Sequence, residues 1–241
     1  YSDFLRTHPL DTERISEATE RARLAAPHPV TLAPSRVYLL IRSRVRALTA
    51  DDLIANQTAF RTETNRTQGI EQEAARYGLG LALLRQGQAG AAQEELASLV
   101  TQAPDVPEYL LALAEAQQAN HQPQEALSSY RKGLRIFPSD TVLSLEYARG
   151  LLTEGDPQAA YTQLLATPPS PEITGRRLRL LAQATEQLGK NGESHLNLGE
   201  YLAFQGQTRD ALTQMSYALK ETDLDAGDRA RVESRRKELL E

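Results

Sequence analysis

The sequence predicts an all-α chain: a right-handed superhelical array of stacked helix pairs, with extra N-terminal helices and a C-terminal capping helix. Three observations predict it. The chain matches itself at a fixed spacing, its apolar residues recur at i, i+3 and i+4, and strand-like alternation is missing. Its 241 residues suit one large domain or one repeat array. Hydrophobic residues reach 40% while aromatics reach only 5%, without tryptophan, a composition of Ala and Leu that lets helices approach closely. A net charge of −5 excludes the basic excess that a nucleic-acid binder needs. No cysteine is present, so there is neither a disulfide framework nor a thiolate metal site. No apolar run approaches the roughly 18 residues of a membrane span. The opening Tyr1-Ser2-Asp3-Phe4 reads as mid-protein.

The spacing is 34. Ala92, Ala126 and Ala160 share it, as do Gly80, Ala114 and Ala148, then Leu79, Leu113 and Tyr147, then Leu96, Tyr130 and Leu164, and finally Pro104 and Pro138. That is the length of a tetratricopeptide repeat, one helix–turn–helix per unit. The small residues fall where first and second helices cross. Gly87 and Gly155 end first helices, and Pro104 and Pro138 stop second ones. The stretch Thr167-Pro168-Pro169-Ser170-Pro171 breaks the register. Helices then resume at a half-period of 17: Ala182 to Gly199, and Gly189 to Gly206. Ala211, Met215 and Ala218 mark the second helix of the last unit. Before the array, helices are expected over Asp11–Leu24, Pro34–Leu48 and Asp51–Thr64, the last opened by Thr49 or Asp51. A charged helix over Asp228–Leu240 suits the closing end of a solenoid.

Residues 73–220 thus resemble the tetratricopeptide family. The opening Thr7-His8-Pro9-Leu10-Asp11-Thr12-Glu13-Arg14-Ile15 resembles the end of a zinc metallopeptidase domain of the HtpX-like class. The later His195-Leu196-Asn197-Leu198-Gly199-Glu200-Tyr201 resembles the last repeats of its BepA-like subgroup. The resemblance implies a periplasmic protein–protein interaction scaffold in outer-membrane protein assembly quality control. Its implied partners are the β-barrel assembly machinery and its substrates, and its implied zinc lies in the parent's peptidase domain rather than in this chain. An independent adaptor in secretion or complex assembly is the alternative. The organisation is then 1–10 as the tail of a peptidase-like domain, 11–66 as an N-terminal helical segment and 67–241 as the repeat domain. Its units fall near 73–106, 107–140, 141–167 and 172–221, with a cap over 226–241.

No catalytic site is expected in this chain. A zinc peptidase of that class needs His-Glu-x-x-His on one helix, and none of His8, His28, His121 and His195 opens such a motif. His8 is a metal ligand only by resemblance, and only with a peptidase domain present. His28 sits between two prolines, His121 closes a first helix where glycine is usual, and His195 takes a bulky position facing the interior. Gly78-Leu79-Gly80 is helix packing rather than a phosphate loop.

First helices line the concave side of such arrays. Counted from the motif Gly or Ala, the wall-facing residues of the first unit are Ala74, Tyr77 and Leu81. The second unit supplies Glu108, Leu111 and Glu115; the third supplies Val142, Leu145 and Arg149; and Arg176, Arg179 and Gln183 follow. The mixture of aliphatics and isolated charges suits a guest polypeptide. It lacks the Lys and Asn pattern that grips chaperone C-termini.

Overall fold

A computed structural model describes residues 34–241 together with Ser16, Glu17, Thr19, Glu20 and Arg21. The chain divides into two compact units, 1–35 and 36–241. In the first, Ser16, Glu17, Thr19, Glu20 and Arg21 are helical, and Arg21 pairs with Glu17 at 2.9 Å. The rest of the helix expected over Asp11–Leu24 lies outside the described residues, as do His8 and His28.

The second unit holds twelve helices, and no strand occurs among the described residues. They are α1 (Arg36–Thr49), α2 (Leu53–Arg66), α3 (Gly69–Arg85), α4 (Ala89–Gln102), α5 (Pro107–Ala119) and α6 (Pro123–Ile136). There follow α7 (Thr141–Thr153), α8 (Pro157–Ala166), a 3₁₀ turn (Pro171–Ile173), α9 (Thr174–Gln187), α10 (Asn191–Phe204), α11 (Thr208–Ala218) and α12 (Ala226–Leu240). The helix starts follow local chemistry. Asp52, Asp140, Asp156 and Asp225 each accept a backbone N–H three residues on, and Pro107, Pro123 and Pro157 occupy first turns. Asp52, rather than Thr49 or Asp51, opens α2.

The turns within pairs need a left-handed residue. Gly87 takes φ 74°, while the amides of Gly87 and Gln88 close onto the carbonyls of Leu84 and Leu83 at 3.0 and 2.9 Å. In the next pair His121 does this job at φ 58°. A side chain there costs about 1–2 kcal/mol of backbone strain, so His121→Gly should raise stability by roughly 0.5–1 kcal/mol after the added freedom of the unfolded chain is subtracted. Chemical denaturation of the variant checks this.

Small residues set the closeness of the pairs. A Cβ on Gly80 would fall 2.7 Å from Leu96 Cγ of α4. Ala92, Ala114, Ala126, Ala148 and Ala160 are all fully buried at the same crossings. The first unit starts at Gly69, and α1 and α2 join the same compact body as the repeats. The boundary expected between residues 66 and 67 is therefore not a break in packing: α1 and α2 both lie on α3.

The stretch expected as one unit over 172–221 holds three helices, and the middle one serves two pairs. Toward α9, α10 behaves as a second helix, with Ser194 Oγ donating to the Ala182 carbonyl at 3.1 Å. Toward α11 it behaves as a first helix: a Cβ on Gly199 would fall 2.9 Å from Met215 Cγ and 3.3 Å from the Ala211 carbonyl. The contacts between alternate helices shift accordingly. α3 touches α5 and α7 touches α9, but beyond that point it is α10 that touches α12. The inner row changes from the odd helices to the even ones.

Candidate partner-binding groove

The wall residues fall into three registers relative to the motif Gly or Ala. Those three positions before it are Tyr77, Leu111 and Leu145, and they are 0%, 8% and 0% exposed. Expected on the open wall, they are instead packed in the interior, because this register points into the seam between adjacent inner helices. Tyr77 and Tyr109 show the seam directly, with ring centroids 5.7 Å apart. The other two registers stay open in the later units: Val142 is 38% exposed, and Arg149, Arg176 and Gln183 are exposed; Arg179, three positions before Ala182, is exposed too, unlike its buried counterparts in the earlier units. Glu108 and Glu115 are half-buried.

In the first unit even these registers are closed. Ala74 and Leu81 are buried, because α1 lies along α3. Its Leu39, Leu40, Ser43 and Ala47 face inward. Arg85, at the end of α3, donates to the Ala47 and Ala50 carbonyls at 2.9 Å each and so caps α1. Arg36 pairs with Glu73 at 3.1 Å, and Arg46 lies 3.9 Å over the Phe60 ring of α2. Arg44 donates to Tyr77 Oη at 3.0 Å and to Glu115 at 3.3 Å, tying α1 to α5 across α3. Tyr77 and Leu81 are thereby withdrawn from any guest.

What α1 covers it partly replaces. Val37, Ile41 and Leu48 lie within one flank of α1 at 100° per residue, the flank from which Arg44 reaches α5, and all three are exposed. Arg44, Pro107, Glu108, Leu111, Asp140 and Val142 line a cleft of ≈ 230 Å³ between this helix and the starts of α5 and α7. Farther along, Arg149, Thr153, Arg179 and Gln183 border a second hollow of ≈ 410 Å³.

A charge network runs between them. Its centre, Glu146, was not among the residues singled out in the sequence, although its spacing of three from Arg149 is a visible signal. Its side chain is 10% exposed and accepts from Arg149 at 2.7 Å and from Arg176. Arg149 also donates to Gln118 at 3.4 Å. Burial pushes the Glu115 carboxyl above the ordinary glutamate range, Arg44 opposes this, and Glu146 adds to it. A carboxyl raised on folding contributes stability below its unfolded pKa and loses it as pH rises through the folded value. Glu115→Gln should therefore flatten the decline in stability that begins at the ordinary glutamate pKa and runs upward. Urea midpoints measured from pH 4 to 7 check this.

The remaining histidines match their expected roles in kind. His121 is the left-handed closing residue. His195 is half-buried, with Nδ1 2.8 Å from Gln214 Oε1 and its ring 5.5 Å from Tyr217. Gly78 and Gly80 pack against Phe60 and Leu96. No cluster of three or more His, Cys, Asp or Glu placed for a metal ion occurs among the described residues.

No protein-family model matches the chain. A putative β-barrel assembly-enhancing protease of Vibrio cholerae is 31% identical over 239 residues, covering 98% of this chain and 49% of its own length. The β-barrel assembly-enhancing protease of Yersinia pestis is 26% identical over 237 residues, covering 97% of this chain and 48% of its own. The chain is a tetratricopeptide-repeat relative of the β-barrel assembly-enhancing proteases. It spans about half the length of the curated relatives it matches. Two solved structures share its fold. A tetratricopeptide repeat protein from Parabacteroides merdae has a TM-score of 0.54 at 15% identity, covering 83% of this chain and 87% of its own. MamA from Desulfovibrio magneticus has a TM-score of 0.51 at 17% identity, covering 77% and 95%. No helix among the described residues is long and apolar enough to cross a membrane.

Proposed function

We propose that this chain is the partner-holding part of a periplasmic metallopeptidase that works in the quality control of outer-membrane β-barrel assembly. It holds a polypeptide segment of the assembly machinery or of a stalled barrel in the trough bounded by α1, α5, α7 and α9. The observation that carries this reading is the run of exposed Val142, Arg149, Arg176 and Arg179 along α7 and α9, continuing the cleft that Val142 lines with Arg44 of α1, in a chain related to β-barrel assembly-enhancing proteases. Apolar contact supplies affinity there and the charges supply orientation. Zinc belongs, in this reading, to the peptidase portion of the whole protein. His8, the one residue tied to it by resemblance, lies outside the described residues.

Two surface variants test the trough. Val142→Glu and Arg149→Gln alter exposed side chains, and Arg176 still answers Glu146, so helicity should be unchanged. Affinity for a purified, urea-unfolded outer-membrane barrel should fall about tenfold or more in each, which is about 1.4 kcal/mol or more. Fluorescence anisotropy with the labelled barrel reads this directly. Equal binding by both variants and the parent chain would remove the trough from the account.

A further inference from the structure

The change of inner row at α10 has a counterpart on the surface. Relative to Gly199, Glu193 and Glu200 stand at −6 and +1, the registers of Val142 and Arg149 relative to Ala148, while Leu196 at −3 is buried like Leu145. The two glutamates open on the other side of the array. There α8, α9, α10 and α12 enclose a cleft of ≈ 440 Å³. That volume accommodates the end of a peptide rather than a long through-running helix.

Most charges in this cleft are answered within the chain. Glu193 is held by Lys190 at 3.0 Å and by the Tyr161 hydroxyl at 2.7 Å. Glu200 takes Arg235 at 3.3 Å, and Asp228 takes Arg231 at 3.1 Å. Arg177 is the exception. Its Nε donates to the Leu164 carbonyl at 2.9 Å, and among the described residues no carboxylate lies within 4.0 Å of it. Burial pushes its guanidinium downward with no acid opposing the shift. Beside it, Asn197 is buried and spends its amide nitrogen on the Glu193 carbonyl at 2.9 Å, while no donor among the described residues reaches its Oδ1. Leu165, on α8, is 55% exposed at the rim, with Leu178 half-buried behind it. A half-buried cation lacking an anion, a spare amide acceptor and an apolar lip match one ligand end: a terminal carboxylate, the last backbone N–H and an apolar last side chain.

We propose that this cleft is a second peptide site, which takes the C-terminal residue of an apolar-ended polypeptide with Arg177 on its carboxylate and Asn197 Oδ1 on its last amide. It does not depend on the trough. The test uses the whole chain and three fluorescein-labelled hexapeptides in anisotropy titrations. One ends in leucine with a free carboxylate, one is its C-terminal amide, and one is amidated but carries a glutamate before the leucine. The free-carboxylate peptide should bind about tenfold tighter than either other one. Arg177→Gln should erase that preference, and Arg177→Lys should keep part of it. Leu165→Glu, at an exposed position that leaves the fold intact, should weaken the free-carboxylate peptide about tenfold. Val142→Glu and Arg149→Gln should leave all three titrations unchanged. Equal binding of the free and amidated peptides, a preference that survives Arg177→Gln or Leu165→Glu, or loss of binding in the trough variants would each overturn the assignment. Tight binding of the glutamate peptide would overturn the terminal carboxylate as the group recognised.

Discussion

A chain carrying Phe60→Ala should lose the docking of α1 and α2 while the helices from α5 onward stay folded. Phe60 is fully buried, and its ring lies against the α3 backbone so closely that a Cβ on Gly78 would fall 2.2 Å from it. On its other side sits the Arg46 guanidinium, 3.9 Å from the ring centroid and 2.7 Å from Glu63. Truncation removes the ring's transfer energy, leaves a cavity and strips the cation of its platform. Buried Phe→Ala changes cost about 3–5 kcal/mol, and each helix of a stacked array draws its stability from its neighbours alone. Hydrogen exchange should then show α1 and α2 losing about 100-fold or more of their protection, with α9–α11 unmoved. Uniform loss along the chain would contradict the local account. Because α1 roofs Tyr77 and Leu81, the same variant should expose new apolar surface, read as increased binding of a hydrophobic dye.

Leu111→Glu should unfold part of the array rather than merely weaken a partner. In the sequence this position looks like an ideal groove probe, but the structure buries it, with Glu108 and Glu115 one turn away on either side of the same helix. A third carboxylate there is desolvated and repelled by both neighbours, at a cost of about 3 kcal/mol or more. The introduced carboxyl has its pKa raised by folding, so the damage should shrink as pH falls toward the ordinary glutamate range and grow as pH rises. Thermal denaturation at pH 4.5 and pH 7.5, compared with the parent chain, measures this. Val142→Glu, at an exposed position one helix away, should show neither the loss nor the pH dependence.

The contrast between Leu111 and Val142 shows what a sequence of this kind discloses. The 34-residue period placed every helix from α3 to α8, because small residues at crossings and left-handed closers leave a local mark. Gly80, Ala92, Gly87 and Pro104 each announce their role without help from the rest of the chain. The burial of Tyr77, Leu111 and Leu145 depends instead on a neighbouring inner helix, which no local pattern reports. The docking of α1 was hidden for a related reason. Its segment Arg36–Thr49 has apolar residues on two flanks, Leu39, Leu40 and Ala47 on one and Val37, Ile41 and Leu48 on the other. Only the partners Glu73, Tyr77, Glu115 and Arg85 decide which flank turns inward. Glu146 was legible in principle from its spacing to Arg149, but its bond to Arg176, thirty positions away, was not.

Helix α10 also makes the array sensitive to parity. Duplicating a complete two-helix module anywhere before it would lengthen the trough and keep the same helices on the inner row, adding only one repeat's superhelical rotation to the far end. Inserting or deleting a single helix would turn everything downstream over, so that the Arg177 side and the Arg149 side exchanged places. Growth of this architecture by whole modules therefore preserves which row is inner, while growth by halves rewires which surfaces look at each other.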